Sequence, residues 1–246
     1  MKEEESLMLE THLGRIDVHS HLLPGIDDGC PTLEESLACA RQLVAAGYTH
    51  SFCTPHIWPN LPNNNVRGIT ERTADLQRAL DEAQVPLRLL PGGELNLRPD
   101  LVQLSKEQIP TYGMAGRYCI FDIWAERLPS FFWPTIEWLQ SKDLKVILAH
   151  PERMRAVQDD PELVDEFADR GLLLQGNLQC LGDPPHTRTR QVAEQFLEEG
   201  RYFMLGSDVH NLAGLPIRLS GLARAVEAVG EDEVWRLTRE NPRQLL

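Results

Sequence analysis

Nine side chains in this sequence are of the types that bind divalent metal ions, and they recur just after short apolar segments. Five of the eight histidines belong to this set, together with four carboxylates. In chain order the set is His19, His21, Asp28, His56, Glu94, Asp122, His150, Asp208 and His210. Mixed imidazole and carboxylate ligands suit Mn²⁺, Zn²⁺ or Fe²⁺, and no thiolate accompanies them as in a structural zinc site.

The size of this set predicts more than one ion. A single ion takes roughly three to six protein ligands, so nine convergent groups fit two or three ions bridged by carboxylates. The four carboxylates carry four negative charges and three divalent ions would carry six positive ones, which leaves about +2 in the site. A pocket with that charge suits a phosphate dianion.

A fold must bring these side chains together, and the apolar pattern indicates which one. Seven short apolar runs are typical of strands buried on both faces, and amphipathic stretches separate them. The predicted strands are 15–19, 49–54, 87–90, 118–121, 145–149, 172–175 and 202–205. The predicted helices are 32–47, 70–84, 131–141, 161–171, 187–199 and 217–229. Regular alternation without a linker predicts an α/β fold, one βα barrel.

In such a barrel, catalytic groups lie on the loops at the carboxyl ends of the strands. Six of the seven predicted strand ends carry an imidazole or a carboxylate, and the remaining one carries Asn177, a poor ligand. Each residue also has an alternative role: Asp28 in a turn with Gly29, Glu94 as a solvated loop acid, or Asp122 in an ion pair with Arg127. All these alternatives would have to place polar groups on one rim, so a joint metal centre is favoured. Asp27 is assigned to a turn or to a supporting role.

Composition excludes several classes of protein. The chain has 246 residues and a net charge of −13, which is the wrong sign for a general nucleic-acid binder or for docking on anionic lipid. No apolar run reaches the length of a membrane-spanning helix, and residues 1–15 lack the apolar stretch of a signal peptide. The five cysteines show no CxxC spacing, which is typical of free thiols in a reducing compartment. We therefore expect a cytoplasmic protein without membrane insertion.

Taken in order, six motifs resemble those of the polymerase and histidinol phosphatase (PHP) superfamily. They are IDVHSH at 16–21, DDG at 27–29, TPH at 54–56, GGE at 92–94, LAHPER at 148–153 and SDVHN at 207–211. Within that superfamily the chain is most similar to the bacterial capsule-type, manganese-dependent protein tyrosine phosphatases. The resemblance runs from about residue 16 to Pro242. It predicts an N-terminal extension at 1–15 and a single PHP barrel domain at 16–246.

The resemblance implies a distorted (β/α)7 TIM-like barrel that holds three divalent metal ions, with Mn²⁺ the first choice and Fe²⁺ or Zn²⁺ as alternatives. Carried over by position, the ligands form three sets, of which the first two share Glu94: His19, His21, Glu94 and Asp208; Glu94, Asp122 and His150; Asp28, His56 and His210. A metal-bridging hydroxide would attack phosphorus while Arg153 steadies the phosphate. The catalytic candidates are thus Arg153, Asp208 and His210. The implied partner is a phosphotyrosine-bearing protein, such as the tail of a bacterial tyrosine kinase in exopolysaccharide or capsule regulation.

The sequence departs from this family pattern at three places. Asp122 stands where the family usually has glutamate, and Leu215 where it tends to carry a second arginine. Residues 57–59 replace basic residues that often follow the histidine of the second strand. These changes concern recognition of phosphate and peptide more than metal chemistry. Four arginines are candidates to compensate: Arg98, Arg188, Arg190 and Arg218.

Three other functions fit parts of the pattern. A phosphatase of a small ester, such as histidinol phosphate, would fit the missing second arginine. An amidohydrolase also opens with HxH on its first strand, but it usually needs a bridging lysine where this chain has Asp122. A non-catalytic, metal-stabilised binding module would be expected to have lost several ligands. The aromatic residues 131–133 and Trp58 could line a substrate cleft, although core packing is the favoured role of Phe131 and Phe132.

Overall fold

The computed structural model describes residues 13–246, an α/β fold built on parallel strands. Nine strands lie within this described range. They are β1 Arg15–Ser20, β2 Tyr48–Cys53, β3 His56–Ile57, β4 Arg88–Pro91, β5 Glu94–Asn96, β6 Tyr118–Asp122, β7 Lys145–Ala149, β8 Leu173–Asn177 and β9 Met204–Gly206. Residues 1–12, most of the predicted N-terminal extension, lie outside the described residues. β1 begins at Arg15, the last residue assigned to that extension.

Helices connect and cover the strands. The α-helices of the described residues are α1 Leu33–Ala45, α2 Val66–Glu82, α3 Phe132–Gln140, α4 Arg155–Asp159, α5 Leu163–Asp169, α6 Leu178–Gly182, α7 Arg188–Glu198, α8 Leu215–Val229 and α9 Glu231–Trp235. Short 3₁₀ turns occupy Pro99–Gln103, Lys106–Gln108, Tyr112–Met114, Pro151–Arg153 and Pro242–Leu245, and a π-helical turn spans Arg236–Glu240. Within 13–246, no helix combines the length and apolar character that crossing a membrane would require.

The strands form a three-stranded sheet, β1-β2-β4, and a six-stranded sheet, β3-β5-β6-β7-β8-β9, which together curl round. All pairings are parallel: β1 with β2, β2 with β4, β3 with β5, and then β5 through β9 in order. β9 returns to β1 through a bridge between Ser20 and Val209. Backbone hydrogen bonds from Asp208 N to the His19 carbonyl (2.7 Å) and from His21 N to the Val209 carbonyl (2.9 Å) reinforce this junction. The parallel sheet is therefore curled into a barrel-like form, as the strand–helix alternation predicts.

The predicted strands 49–54 and 87–90 correspond to β2 and β4, and each is followed after two residues by a short strand that was not predicted, β3 or β5. β2 and β3 are separated by Thr54 and Pro55, and β4 and β5 by Gly92 and Gly93. The ladder continues across both breaks, because Gly92 N donates to the Cys53 carbonyl (2.9 Å) and Glu94 N to the Pro55 carbonyl (3.1 Å). Nine strands thus occupy seven positions round the sheet. Both breaks lie immediately before residues of the predicted metal site.

The interior of the curled sheet and its outer face form separate apolar clusters. Side chains alternate along each strand, so Ile120 and Ile147 join an inner cluster that contains no residue of the α-helices. Phe121 and Leu148, their neighbours in sequence, join the outer cluster that packs beneath the helices. The strands are therefore buried on both faces, as their continuous apolar runs predict.

Most predicted helices are present with small differences in length. The prediction for 70–84 begins too late, because Asn65 caps α2 by accepting a hydrogen bond from Gly68 N. The short helices α4, α6 and α9 were not predicted, since five residues carry too little periodicity to distinguish a helix from a loop. Of the aromatic residues at 131–133, Phe132 is fully buried against Phe121 and Phe167. Phe132 is therefore a core residue, which is the role the sequence favoured for it.

α6 and α8 cross at a distance that only glycine allows. A Cβ atom built on Gly221 of α8 would lie 1.8 Å from the backbone carbonyl oxygen of Leu178 in α6. Carbonyl oxygens of a helix cannot move away without moving the helix. This contact matters for the site, because α6 begins directly after β8 and α8 follows the loop that carries Asp208.

We expect Gly221→Ala to lower the free energy of unfolding by about 3 kcal/mol, because overpacking against the backbone outweighs the better helix propensity of alanine. Urea denaturation followed by circular dichroism measures the change. Ala223→Ser, which adds one heavy atom on the exposed side of the same helix, is the control and should change stability by less than about 0.5 kcal/mol. A Gly221→Ala variant more stable than the parent would show that the two helices can separate freely.

Candidate metal centre

A backbone irregularity in β1 brings the first two histidines to the site. The register with β2 shifts between Asp17 and Ser20. As a result, consecutive residues Val18 and His19 both reach the interior of the sheet, the first in the inner apolar cluster and the second against Gln175 (2.8 Å). Bulges of this kind commonly redirect side chains beside active sites. The Nε2 atoms of His19 and His21 come to 3.3 Å from each other, and both rings are buried.

Glu94 lies at the centre of the cluster. Its backbone is the register partner of His56, and its Oε2 lies 2.9 Å from His56 Nδ1. The same Oε2 is 3.4 Å from His19 Nε2, and Oε1 is 3.0 Å from His150 Nε2. The preceding Gly93 permits this placement, because a Cβ there would lie 2.7 Å from Pro110 Cβ. One buried carboxylate thus touches histidines from three positions of the curled sheet.

The loop after β9 supplies Asp208 and His210. Asp208 adopts a left-handed backbone conformation (φ 53°), and its Oδ1 lies 3.4 Å from both His19 Nε2 and His21 Nε2. The His210 ring stacks on His21 with centroids 4.0 Å apart, and its Nε2 is 3.5 Å from Asp28 Oδ1. His150 is also left-handed (φ 34°) at the end of β7. Of the five non-glycine residues with positive φ among the described residues, these two belong to the site, where such strain is often found.

All nine predicted metal-binding residues lie in this region, and their donor atoms form overlapping groups. Three groups have donor atoms within 4.8 Å of one another: His21, Asp28, His56 and His210; His19, His21 and Glu94; His56, Glu94 and Asp122. Asp208 contacts the second group through His19 and His21, and His150 contacts Glu94. Asp28 is the one exposed member of the set. Each pair of groups has one residue in common: His21, His56 or Glu94. Adjacent metal ions typically share ligands in this way.

Hydrogen bonds fix which nitrogen three of the histidines present to the site. His19 donates from Nδ1 to Gln175 Oε1 (2.8 Å), and His21 from Nδ1 to Asp27 Oδ2 (2.8 Å). His210 donates from Nδ1 to the Asp208 carbonyl (2.8 Å). Each ring is therefore oriented with Nε2 toward the neighbouring donors. Histidines that bind metals are normally oriented by a partner of this kind on the other ring nitrogen.

Two buried atoms at the centre of the cluster have no hydrogen bond. They are His56 Nδ1 and Glu94 Oε2, which approach to 2.9 Å without hydrogen-bonding geometry. Buried polar atoms are nearly always paired, so an unpaired imidazole nitrogen beside an unpaired carboxylate oxygen is exceptional. Both atoms are ligands that divalent ions accept. The donor set therefore fits a divalent metal centre.

Electrostatics couple the imidazoles to the carboxylates. Burial alone would lower the pKa of His19, but the charges of Glu94 and Asp208 outweigh it and raise that pKa to about 9. Burial would raise the pKa of Glu94, yet His19 and its other imidazole neighbours hold it well below its usual range. The pKa of Asp122 rises to about 6 through burial and the charge of Glu94. In the metal-free protein the imidazoles thus serve as the counter-charges, and protons compete with metal for them.

Arg153 and a cleft lie beside this cluster. Arg153 follows His150 in a 3₁₀ turn, and its Nη1 donates to Asp208 Oδ2 (2.9 Å). The cleft has a volume of about 520 Å³, and its lining includes Asp122, Trp124, His150, Arg153 and Met154. An oriented guanidinium next to metal-type donors can bind an anion bidentately. The arrangement can therefore hold a phosphoryl group between cations.

Several residues that support the site were not singled out from the sequence. Asp17 accepts hydrogen bonds from Ser207 N (2.9 Å) and Ser207 Oγ (2.6 Å), which ties β1 to the Asp208 loop. Glu152 is fully buried and accepts from Asn177 N (2.7 Å) and the Tyr202 hydroxyl (3.1 Å). Both could have been found from the sequence, because each is a carboxylate within a predicted buried strand or a family motif, and a buried carboxylate needs a partner.

The contacts also decide the alternative role predicted for Asp122 and place Arg218, one of the arginines predicted to compensate for Leu215. Asp122 accepts from Trp124 Nε1 rather than pairing with Arg127. Leu215 is buried at the start of α8, and Arg218, one turn later, donates to the carbonyl oxygens of Asp208 (2.9 Å) and Gly214 (2.8 Å). Arg218 thus supports the Asp208 loop.

The other three candidate arginines and Trp58 can be placed in the same way. Arg98 donates to the Ile57 carbonyl (3.1 Å), beside the second strand position, whereas Arg188 donates to the Gln158 carbonyl and Arg190 to the Asp183 carbonyl. Trp58 stacks on His56 with ring centroids 4.1 Å apart. Trp58 therefore lies against the site, as one of its predicted roles requires.

The chain is similar to known proteins over nearly its whole length. The family described as "Capsular polysaccharide synthesis, CpsB/CapC" matches residues 15–246. The tyrosine-protein phosphatase CpsB of Streptococcus agalactiae serotype V is 28% identical over 245 residues, covering 94% of this chain and 98% of that protein. The tyrosine-protein phosphatase YwqE of Bacillus subtilis is 26% identical over 198 residues, covering 80% of this chain and 78% of YwqE. The resemblance drawn from the motifs to capsule-type tyrosine phosphatases is confirmed.

Solved structures agree with the observed fold. The chain matches, with a TM-score of 0.86 and 26% identity over 94% of each chain, a structure from work on YwqE from Bacillus subtilis and CpsB from Streptococcus pneumoniae, described as unique metal-dependent tyrosine phosphatases. A phosphotriesterase homology protein from Escherichia coli, complexed with phosphate, matches with a TM-score of 0.61 at 11% identity, covering 95% and 98% of the two chains. The second likeness concerns the fold alone.

We expect Asp27→Asn to weaken Mn²⁺ binding about 10- to 100-fold, because the charge that orients His21 is lost while the side chain keeps its shape. Asp27 also accepts from His56 N (3.0 Å), and its pKa is held at about 2 although burial opposes ionisation. Competition of the metal-free protein with a fluorescent chelator at pH 7.5 measures the affinity. Glu34→Gln, an exposed carboxylate in α1, is the control. Parent-like affinity in Asp27→Asn would contradict the orienting role.

Proposed function

We propose that this chain, which belongs to the capsular polysaccharide synthesis CpsB/CapC family, is a metal-dependent protein tyrosine phosphatase that acts in capsule or exopolysaccharide regulation. Relatives along nearly the whole chain carry the name tyrosine-protein phosphatase. The observation that carries the proposal is the position of Glu94, a buried carboxylate in contact with His19, His56 and His150. Such a cluster beside an arginine-lined cleft supports hydrolysis of a phosphate monoester.

We assign the fold and domain organisation in finer terms on the same basis. The seven strand positions support a distorted (β/α)7 barrel of PHP type over residues 16–246, preceded by an extension at 1–15. The site would lie at the carboxyl ends of the strands, where Asp122 ends β6 and His150 follows β7. This is the end at which barrels of this kind place their catalytic groups.

The residues present would hold three divalent ions, with Mn²⁺ as the proposed metal and Fe²⁺ or Zn²⁺ also compatible with the ligand types. The proposed ligand sets are His19, His21, Glu94 and Asp208; Glu94, Asp122 and His150; Asp28, His56 and His210. The proximity of donor atoms in three overlapping groups supports this assignment. Asp208 and His210 would thus act in catalysis as ligands. When bound, the ions supply Lewis acidity to phosphoryl oxygens and hydroxide at neutral pH.

The protein's own contribution is to position the phosphate, through Arg153. Arg153 uses Nη1 on Asp208 (2.9 Å), and its fork geometry leaves further N–H donors that can bind phosphate oxygens. Hydrolysis breaks the bond between phosphorus and the phenolic oxygen and forms a bond from phosphorus to a water oxygen. The products are a tyrosine side chain and inorganic phosphate. Charge that spreads over the phosphoryl oxygens would be stabilised by Arg153 together with the metal centre.

The proposed partner is a phosphotyrosine-bearing protein, such as the tail of a bacterial tyrosine kinase. A cytoplasmic location is proposed because all five cysteines are free and buried. Cys30 and Cys39 illustrate this, since their sulfur atoms lie 3.9 Å apart and are not bonded to each other. The net charge of −13 gives no support for a nucleic-acid partner.

We expect Asp208→Asn to reduce Mn²⁺-dependent phosphate release from a phosphotyrosyl peptide about 10²-fold or more, since it removes a ligand charge and the anion that holds Arg153. Asparagine tolerates the left-handed backbone of this position (φ 53°), so the fold should be kept. Asp208→Ala should be equally inactive but less stable. Phosphate release with and without Mn²⁺ is the measurement, and circular dichroism verifies the fold.

Asp143→Asn is the matched control. Asp143 also has a left-handed backbone (φ 59°), is exposed, and lies between α3 and β7, away from the nine donors. Its activity should equal that of the parent. Full turnover by Asp208→Asn, or parent activity that is independent of metal, would overturn the proposed function.

A further inference from the structure

The cleft beside the metal centre combines a polar end with an exposed aromatic ring. Asp122 and His150 lie at its buried end, and Trp124 forms part of its lining. Trp124 is 75% exposed, whereas the other large apolar side chains exposed in the described part of the chain reach at most 46%. Tryptophan is normally among the more buried residues, because its ring carries a large apolar area. An indole this exposed, at the mouth of a site, needs an explanation.

The indole is held in place by its one polar group. Trp124 Nε1 donates to Asp122 Oδ2, so the edge of the ring is anchored to the proposed metal-binding carboxylate. Asn96 Nδ2 lies 3.4 Å from the other oxygen, Oδ1. Because the edge is anchored, the ring's position relative to the metal centre is fixed while its face stays accessible. An anchored and exposed aromatic face is suited to stacking against another ring.

We propose that Trp124 is the specificity-determining residue of the cleft, the surface on which the aromatic ring of an aryl phosphate monoester stacks while its phosphate lies between Arg153 and the metal centre. This inference rests on the proposed function and assigns the preference for an aryl ester to one side chain. In phosphotyrosine the ring is joined directly to the phosphate oxygen. A ring stacked next to Asp122 would therefore place the phosphate beside the proposed ligands. An aliphatic ester has no ring and could not be positioned in this way.

A second role for Trp124 must be separated from the first. The indole could serve only to orient Asp122 through Nε1, in which case every substrate would be affected equally. Trp124→Phe distinguishes the two roles, because it keeps an aromatic face and removes the N–H donor. Trp124→Ala removes both. Val102→Ala is the matched control, since Val102 is another exposed apolar side chain and does not line the cleft.

The test compares a phosphotyrosyl peptide with a phosphoseryl peptide of the same sequence, using Mn²⁺-loaded parent and variants. We expect Trp124→Ala to raise KM for the phosphotyrosyl peptide about tenfold, the size of effect that one stacking contact and its buried area supply. KM for the phosphoseryl peptide should change less than about twofold, and Trp124→Phe should retain most of the parent's preference. Equal losses for both peptides, or equal defects in Trp124→Phe and Trp124→Ala, would overturn the stacking role.

A binding measurement separates this inference from the proposed function. Calorimetry with a peptide that carries a non-hydrolysable phosphonomethyl-phenylalanine should show about tenfold weaker binding to Trp124→Ala, while the affinity for inorganic phosphate is unchanged. A parent that hydrolyses both peptides equally overturns the inference and leaves the phosphatase assignment intact. A parent that hydrolyses neither overturns the phosphatase assignment, and the phosphonate titration then decides the inference by itself. Phosphonate binding that is equal in parent and Trp124→Ala refutes it.

Discussion

Carboxylates can be buried side by side only when positive charge accompanies them, and this requirement governs the whole site. Glu94 and Asp208 are both buried beside His19 of β1 and beside His21, which directly follows that strand. In the metal-free protein the imidazoles supply the compensating charge, which is why the pKa of His19 rises to about 9 against the effect of burial. Divalent ions would supply far more positive charge in the same volume. The same contacts that raise the pKa values therefore define a cavity suited to metal.

To bring these charges together the backbone departs from regular geometry, and surrounding hydrogen bonds stabilise the irregular segments. The shift in β1, the break at Gly92–Gly93 and the left-handed residues His150 and Asp208 all lie at the carboxyl ends of the strands. The Asp208 loop is held by Arg218 through the Asp208 carbonyl. Asn177 reaches the same loop through Asp208 Oδ2 (2.7 Å). Strained residues persist where neighbouring contacts over-determine them, and here those contacts come from β8 and α8.

The sequence was informative about ligands and much less so about what holds them. Imidazoles and carboxylates after apolar runs stand out by type, so all nine could be chosen from the alternation of strands. Gln175 could not, because it looks like a strand-end polar residue until the structure places it against His19. The register shift in β1 could not be predicted either, because the segment IDVHSH is equally compatible with a regular strand. Trp124 was overlooked because exposure decides its role and composition does not encode exposure.

Asp122 joins the proposed metal centre to the proposed stacking surface, because it accepts a hydrogen bond from Trp124. The family resemblance leads one to expect glutamate there, so aspartate places its carboxylate one methylene nearer to β6. That shorter reach coincides with the hydrogen bonds from Trp124 and Asn96, which occupy one oxygen each. A carboxylate held on both sides loses little rotamer freedom on binding metal, which offsets part of its shorter reach. Because the Trp124 bond also fixes the exposed indole, the departure at position 122 and the aromatic wall of the cleft are best understood as one structural unit.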